Sequence, residues 1–180
     1  MRTALSVAIV AASAVQVACS PRTGVVQVQR SATLSDEAGA AGDVARTLDA
    51  LHESAAKADE ARYFSLFAPG GIFLGTDDSE RWTVDEFRAY AHPFFSQGKG
   101  WTYTVAERFV SFSPDGKTAW FDERLDNAKW GRCRGSGVLT KFGKRWRIEQ
   151  YNLLVPIPND LLPEVAARIR EFEATHATDR

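Results

Sequence analysis

The sequence predicts an α+β domain, and three observations predict it. Two helical patterns open the folded part, four strand-like runs follow one another through short turns, and a helical pattern closes it. With 180 residues, 44% apolar and 25% charged, the chain has material for one soluble core with short appendages. Every aromatic residue lies from Tyr63 onward, so the dense core belongs to the middle and C-terminal part. The 22 Lys and Arg against 23 Asp and Glu leave a net charge of −1, which gives no electrostatic footprint for nucleic acid.

Residues 1–18 carry one early positive charge, an apolar run too short to span a bilayer and small residues at its end. This describes a secretory signal. Val17-Ala18-Cys19-Ser20 resembles a bacterial lipoprotein processing site, apart from Gln16 where an aliphatic residue is usual. The expectation is export, to the periplasm or to a membrane through lipidated Cys19. Residues 19–42 are rich in small and polar side chains and read as a tether. Val25-Val26-Gln27-Val28 could instead add an edge strand.

The domain is expected over residues 43–175. Val44, Leu48, Leu51 and Ala55 form an apolar stripe at helical spacing, with His52 at its edge as a partly exposed structural histidine. A second helix is expected from Asp59 to Phe67, stopped by Pro69-Gly70-Gly71 ahead of a short strand at Ile72-Phe73-Leu74. Thr83-Val84-Asp85-Glu86 is a capping box, and Trp82 and Phe87 occupy the flanking hydrophobic-staple positions. That helix is expected to end near Tyr90 or Ala91, before His92-Pro93. Four strands follow, over Trp101–Phe112, Lys117–Leu125, Arg132–Thr140 and Arg145–Val155. They form an antiparallel meander with one packed and one solvated face. A last helix carries Leu161, Leu162, Val165, Ile169 and Phe172.

Several runs together are similar to the SnoaL-like domain of the nuclear transport factor 2-like superfamily. They are Phe73-Leu74-Gly75-Thr76-Asp77, Arg81 to Phe87, Ala119-Trp120-Phe121-Asp122-Glu123, Arg134 to Leu139, Trp146-Arg147-Ile148 and Tyr151-Asn152-Leu153. The resemblance implies a cystatin-like cone in which N-terminal helices pack into a strongly bent antiparallel sheet around a pocket. It also implies a homodimer through the outer sheet face. Its members include polyketide cyclases, ketosteroid isomerase and limonene epoxide hydrolase beside many binding modules, so the fold alone assigns no activity.

Strand parity supplies candidate site residues. If Pro114-Asp115-Gly116 is a three-residue loop, Glu107 faces Glu123 beside the facing pair Phe109 and Phe121, and Arg108 faces Asp122 on the outer face. Two facing carboxylates repel unless a proton or cation is shared, which makes Glu123 and Glu107 the candidate proton-transfer groups. A cation could come from Arg134 on the next strand, which a two-residue Phe142-Gly143 turn and a three-residue loop place on opposite faces. Gln150 and Asn152 share the parity of Trp146 and are expected to line the pocket with Arg134, Phe121 and Trp146. No Cys or His spacing suits a metal, and no cofactor is expected. The leading expectation is an exported domain binding a small, largely apolar ligand. The alternatives are a cofactor-independent isomerase or cyclase using a buried carboxylate, and a dimerising interaction module. A buried carboxylate facing an open cavity would mark the enzyme, and a cavity lined by aromatics and amides the binder. On the enzyme reading, Glu123→Gln should abolish activity and barely change the melting temperature.

Overall fold

The computed structural model describes residues 26–28 and 34–176. The signal and the lipidation site at Cys19 lie outside the described residues. In chain order the elements are β1 (Val26–Val28), α1 (Leu34–Ala56), α2 (Glu60–Ser65), β2 (Phe67–Leu74), β3 (Arg81–Thr83) and α3 (Val84–Phe95). They are followed by β4 (Thr104–Phe112), β5 (Thr118–Asn127), β6 (Gly131–Phe142), β7 (Arg145–Leu154) and α4 (Leu162–Thr175). One open sheet has the order β1-β4-β5-β6-β7-β2-β3. Its centre, β4 to β7, is the expected antiparallel meander. β1 joins β4 and β2 joins β7 in parallel, so the full sheet is mixed rather than antiparallel throughout.

The core lies between this sheet and the helices. Val44, Leu48, Leu51 and Ala55 are all buried, as the helical stripe predicts. α1 starts at Leu34, however, so the stretch read as a tether is partly helical. α2 is capped by Asp59, whose carboxylate accepts from the Arg62 amide, and it ends at Ser65, earlier than expected. β2 begins at Phe67 and runs through Pro69-Gly70-Gly71, where its register against β7 shifts. A proline can sit in a strand at such an irregularity, because no ladder donor is needed there.

The Thr83–Glu86 capping box forms in both directions, and the Trp82 and Phe87 rings stack 5.6 Å apart. α3 passes through Pro93 instead of stopping before it. Phe95 explains the extension, since its ring packs against Tyr63, Phe64 and Trp101 in the core. Tertiary burial there outweighs the one backbone hydrogen bond that proline removes. At the other end of the chain, α4 turns Leu162, Ile169 and Phe172 to the surface.

Three local features set the register of the meander. The β4–β5 loop holds four residues, Pro114 to Lys117, not three, and is closed by the Ser113 amide on the Thr118 carbonyl. Asp115 and Ser113 accept from the Lys117 and Thr118 amides, which holds the extra residue. Ala106 is bulged against β5, and Glu149 is bulged against β6. The β6–β7 turn is Gly143-Lys144, with Gly143 at φ +63°, which a type II′ hairpin requires of its first turn residue. Bulges bend and twist a sheet, so the two irregularities also curve this one.

Candidate functional site

Two clusters on the inner side of the sheet differ in kind. The first is polar and buried, with one donor, Arg108 Nη2, left without an acceptor. The longer β4–β5 loop moves the register by one, so Glu123 lies opposite Arg108 rather than Glu107. Ala119, Phe121, Glu123 and Leu125 alternate inward along β5. Glu123 is 0% exposed. Its Oε1 lies 2.7 Å from His52 Nε2 and 2.9 Å from the Tyr151 hydroxyl, and its Oε2 accepts from Arg108 Nε at 2.7 Å. Arg108 also donates through Nη1 to the Asp49 carboxylate at 2.8 Å and to the Ala45 carbonyl at 3.2 Å. The network therefore staples α1 to β4, β5 and β7.

The electrostatics follow from this geometry. Burial alone would raise the Glu123 carboxyl, but His52 and Arg108 outweigh it and hold the group below the ordinary glutamate range. An ionised carboxylate only accepts, so His52 Nε2 carries the proton in this contact. Burial, reinforced by the Glu123 charge, pushes the Tyr151 hydroxyl well above the ordinary tyrosine range. Burial also opposes the Arg108 charge, yet Glu123 and Asp49 together raise its affinity for its proton. Gly135 faces the cluster from β6. A Cβ there would collide with the Tyr151 hydroxyl and the Glu123 carboxylate, so the bare backbone lets them meet.

This corrects several expectations. Glu123 is inward as parity predicts, but its cation is Arg108, and His52 and Tyr151 complete the set. Glu107 is not beside it: the longer loop brings Arg108 to the inner face opposite Glu123, so Glu107 alternates to the outer face, where it pairs with Arg124. Arg134 is exposed on the outer face, opposite Arg124. The Glu149 bulge reverses parity along β7, so Gln150 is exposed and Asn152 half-buried on the outer face while Tyr151 points inward. Phe121 packs in the core against Tyr151, and Trp146 is buried beside Phe112. None of these predicted pocket residues lines the cleft described next.

The second cluster is aromatic and open. A cleft of about 280 Å³ lies between β2, β3, α3, the segment before β4, the β5–β6 turn and the end of β7. Phe87, Tyr90 and Phe94 line it from one face of α3, at helical spacing. Trp101 and Tyr103 line it two residues apart ahead of β4, and Phe73, Trp82 and Leu153 complete the wall. Trp130 stands over it, 55% exposed. Asn127 places that ring, since its Oδ1 accepts from the Lys129 and Trp130 amides while its Nδ2 donates to the Thr102 carbonyl. The rings of Trp82, Phe87 and Tyr90 are nearly parallel, with Trp82 and Tyr90 4.9 Å apart. Thr76 and Glu80 join the hydroxyl-bearing Tyr90 and Tyr103 as polar lining residues. Glu80 is held by the Asp77 amide, and its backbone carbonyl accepts from Gly75. No cluster of His, Cys, Asp and Glu suited to a metal occurs among the described residues. No helix of the described residues is long and apolar enough to cross a membrane.

A family model described as the SnoaL-like domain matches residues 44–158. The chain belongs to the SnoaL-like domain family. Solved structures agree on the fold. An NTF2-like protein of unknown function from Pseudomonas putida matches with TM-score 0.57 at 10% identity, covering 68% of this chain and 91% of that one. A putative scytalone dehydratase from Novosphingobium aromaticivorans matches with TM-score 0.57 at 10% identity, covering 69% and 89%. A cystatin-like protein of unknown function from Nostoc punctiforme matches with TM-score 0.52 at 15% identity, covering 69% and 93%. No curated protein matches the chain. In this SnoaL-like domain the helices and the bent sheet form the α+β cone, with the polar network inside and the aromatic cleft opening from it.

Proposed function

We propose that this SnoaL-like domain binds a small, largely apolar, planar molecule in the aromatic cleft. The observation that carries the reading is the contrast between the two clusters. The buried carboxylate has both oxygens occupied by donors and no exposure, whereas the cleft gathers aromatic side chains of which Tyr90, Phe94 and Trp130 are exposed. Aromatic pairs contribute about 0.5–1.5 kcal/mol beyond the area they bury, so a planar ring laid against the exposed rings of Tyr90 and Trp130 gains from both. Glu80 is the carboxylate on that wall, and it suits a ligand hydroxyl or amine donor.

The isomerase or cyclase alternative needs a proton-transfer group within reach of a substrate. Glu123 offers no free oxygen, so its role is structural. Export belongs to this proposal as the reading of residues 1–18 and Cys19, as does a homodimer through the outer sheet face, where Trp120 is 49% exposed. Light scattering during gel filtration tests the dimer: Trp120→Glu should give a monomer.

The binding test is a fluorescence titration with N-phenyl-1-naphthylamine, a neutral aromatic probe. Saturable binding that weakens about tenfold in Trp130→Ala, matching the loss of about one stacked face, is the expected result. Binding unchanged by Trp130→Ala and by Tyr90→Ala would contradict it.

A further inference from the structure

The aromatic cleft holds one charge, and no cation of the described residues pairs with it. Glu80 is the only charged residue that lines the cleft, beside Thr76, Leu153 and a majority of aromatic rings. It is half-buried, and its carboxylate lies against Gly75, another lining residue. Its Oε2 accepts from the Asp77 amide, which ties down the short loop between β2 and β3. Among the described residues Oε1 accepts no hydrogen bond, and neither oxygen meets a Lys, Arg or His. Arg81, next in the chain, is exposed and makes no ion pair with it. The loop itself adds to the negative field, since residues 75–80 carry Asp77, Asp78 and Glu80 and no Lys or Arg.

The rings supply a second preference of the same sign. The face of an aromatic ring is the negative end of its quadrupole and attracts a cation within about 6 Å of the centroid. Trp130 already does this, with Lys129 Nζ 4.4 Å from its ring centroid. Lys129 lies outside the lining of the cleft, so the cleft has no ammonium of the protein's own. Ligand classes separate on this ground. An anion would meet Glu80 with no counter-charge beside it. A neutral ring bearing a hydroxyl fills the walls but leaves a carboxylate that is partly stripped of water and uncompensated. A protonated amine on an aromatic ring answers both the walls and the charge.

We infer that the ligand of the cleft is a small aromatic amine bound as its ammonium ion, its N–H donating to Glu80 Oε1 and its ring laid against Tyr90 and Trp130. This rests on the binding reading above and adds to it the charge of the ligand.

The test sets 1-naphthylmethylammonium against 1-naphthalenemethanol, the same ring bearing an ammonium or a hydroxyl. Both compete with N-phenyl-1-naphthylamine on the whole protein at about pH 7, where an alkyl amine is protonated. The ammonium should displace the probe at about tenfold lower concentration, the sum of one ion pair and one cation–π contact at a partly exposed site. Glu80→Gln keeps an acceptor for the Asp77 amide and removes the charge. In that variant the advantage should fall to about threefold or less, the share of the cation–π contact, while the probe itself binds as in the parent. Equal competition in the parent, or a tenfold advantage that survives Glu80→Gln, would overturn the inference and leave the cleft reading standing, because the probe still binds. A probe that fails to bind at all removes the cleft reading and this inference with it.

Discussion

The two inner clusters share one side chain and little else. The Tyr151 hydroxyl is bonded to Glu123, and its ring lies nearly parallel to that of Phe73, which reaches the aromatic cleft. On one side of Tyr151 both Glu123 oxygens have donors, and that carboxylate is shut off from solvent. On the other side, ring faces meet solvent across a concave surface. The difference teaches that a buried charge is by itself poor evidence of a catalytic site. What decides is whether the charge has bonding capacity left for a substrate.

The largest expected effect comes from breaking the closed cluster. Glu123→Leu leaves Arg108 charged and buried with one carboxylate fewer, and should cost about 3–5 kcal/mol in urea unfolding. Glu123→Gln should lower the melting temperature by several degrees, against the small change expected of a catalytic carboxylate. Gly135→Ala comes next. Its methyl group must displace Tyr151 or Glu123, and a cost of about 1–3 kcal/mol is expected in the same assay. Probe affinity in the cleft should hold within error wherever Gly135→Ala remains folded.

Acid should sharpen the same comparison. Glu123 has a lower pKa in the folded state than in the unfolded chain, with His52, Arg108 and Tyr151 facing it and Asp49 beyond Arg108. Its contribution to stability is therefore complete above the ordinary glutamate value of about 4.3 and is lost as pH falls below that value. Tyr151 acts at the opposite end. Its raised pKa means that stability declines as pH climbs past the ordinary tyrosine value of about 10. Melting temperatures across pH should show both flanks, and Glu123→Gln should flatten the acid one. The smallest effect on stability is expected in the cleft itself, where Trp130→Ala should stay within about 0.5 kcal/mol of the parent while losing probe affinity.

Much of the scaffold was legible in the sequence. The stripe from Val44 to Ala55, the Thr83–Glu86 capping box with its Trp82–Phe87 staple, and the four-strand meander are local patterns with local causes. Parity also placed Glu123 and Phe121 inward. The partners of Glu123 were not legible, because register depends on single residues. One extra loop residue at Lys117 is enough to exchange Glu107 for Arg108 opposite Glu123. The bulge at Glu149 likewise turns Gln150 and Asn152 outward and Tyr151 inward. The cleft gathers side chains from Phe73 to Leu153, and no window of sequence contains them. The one sequence signal for it was the density of aromatic residues between Tyr63 and Tyr151, which reads as core until exposure separates Tyr90, Phe94 and Trp130 from Phe87 and Phe95.

The most direct test follows the five indole N–H resonances by nitrogen-correlated NMR during titration with N-phenyl-1-naphthylamine. Trp82, Trp101 and Trp130 line the cleft, Trp146 is buried in the core, and Trp120 is on the outer sheet face. Saturable shifts are expected for the first three while Trp146 and Trp120 stay fixed. Still resonances for those three, with movement instead at the His52 ring, would contradict it.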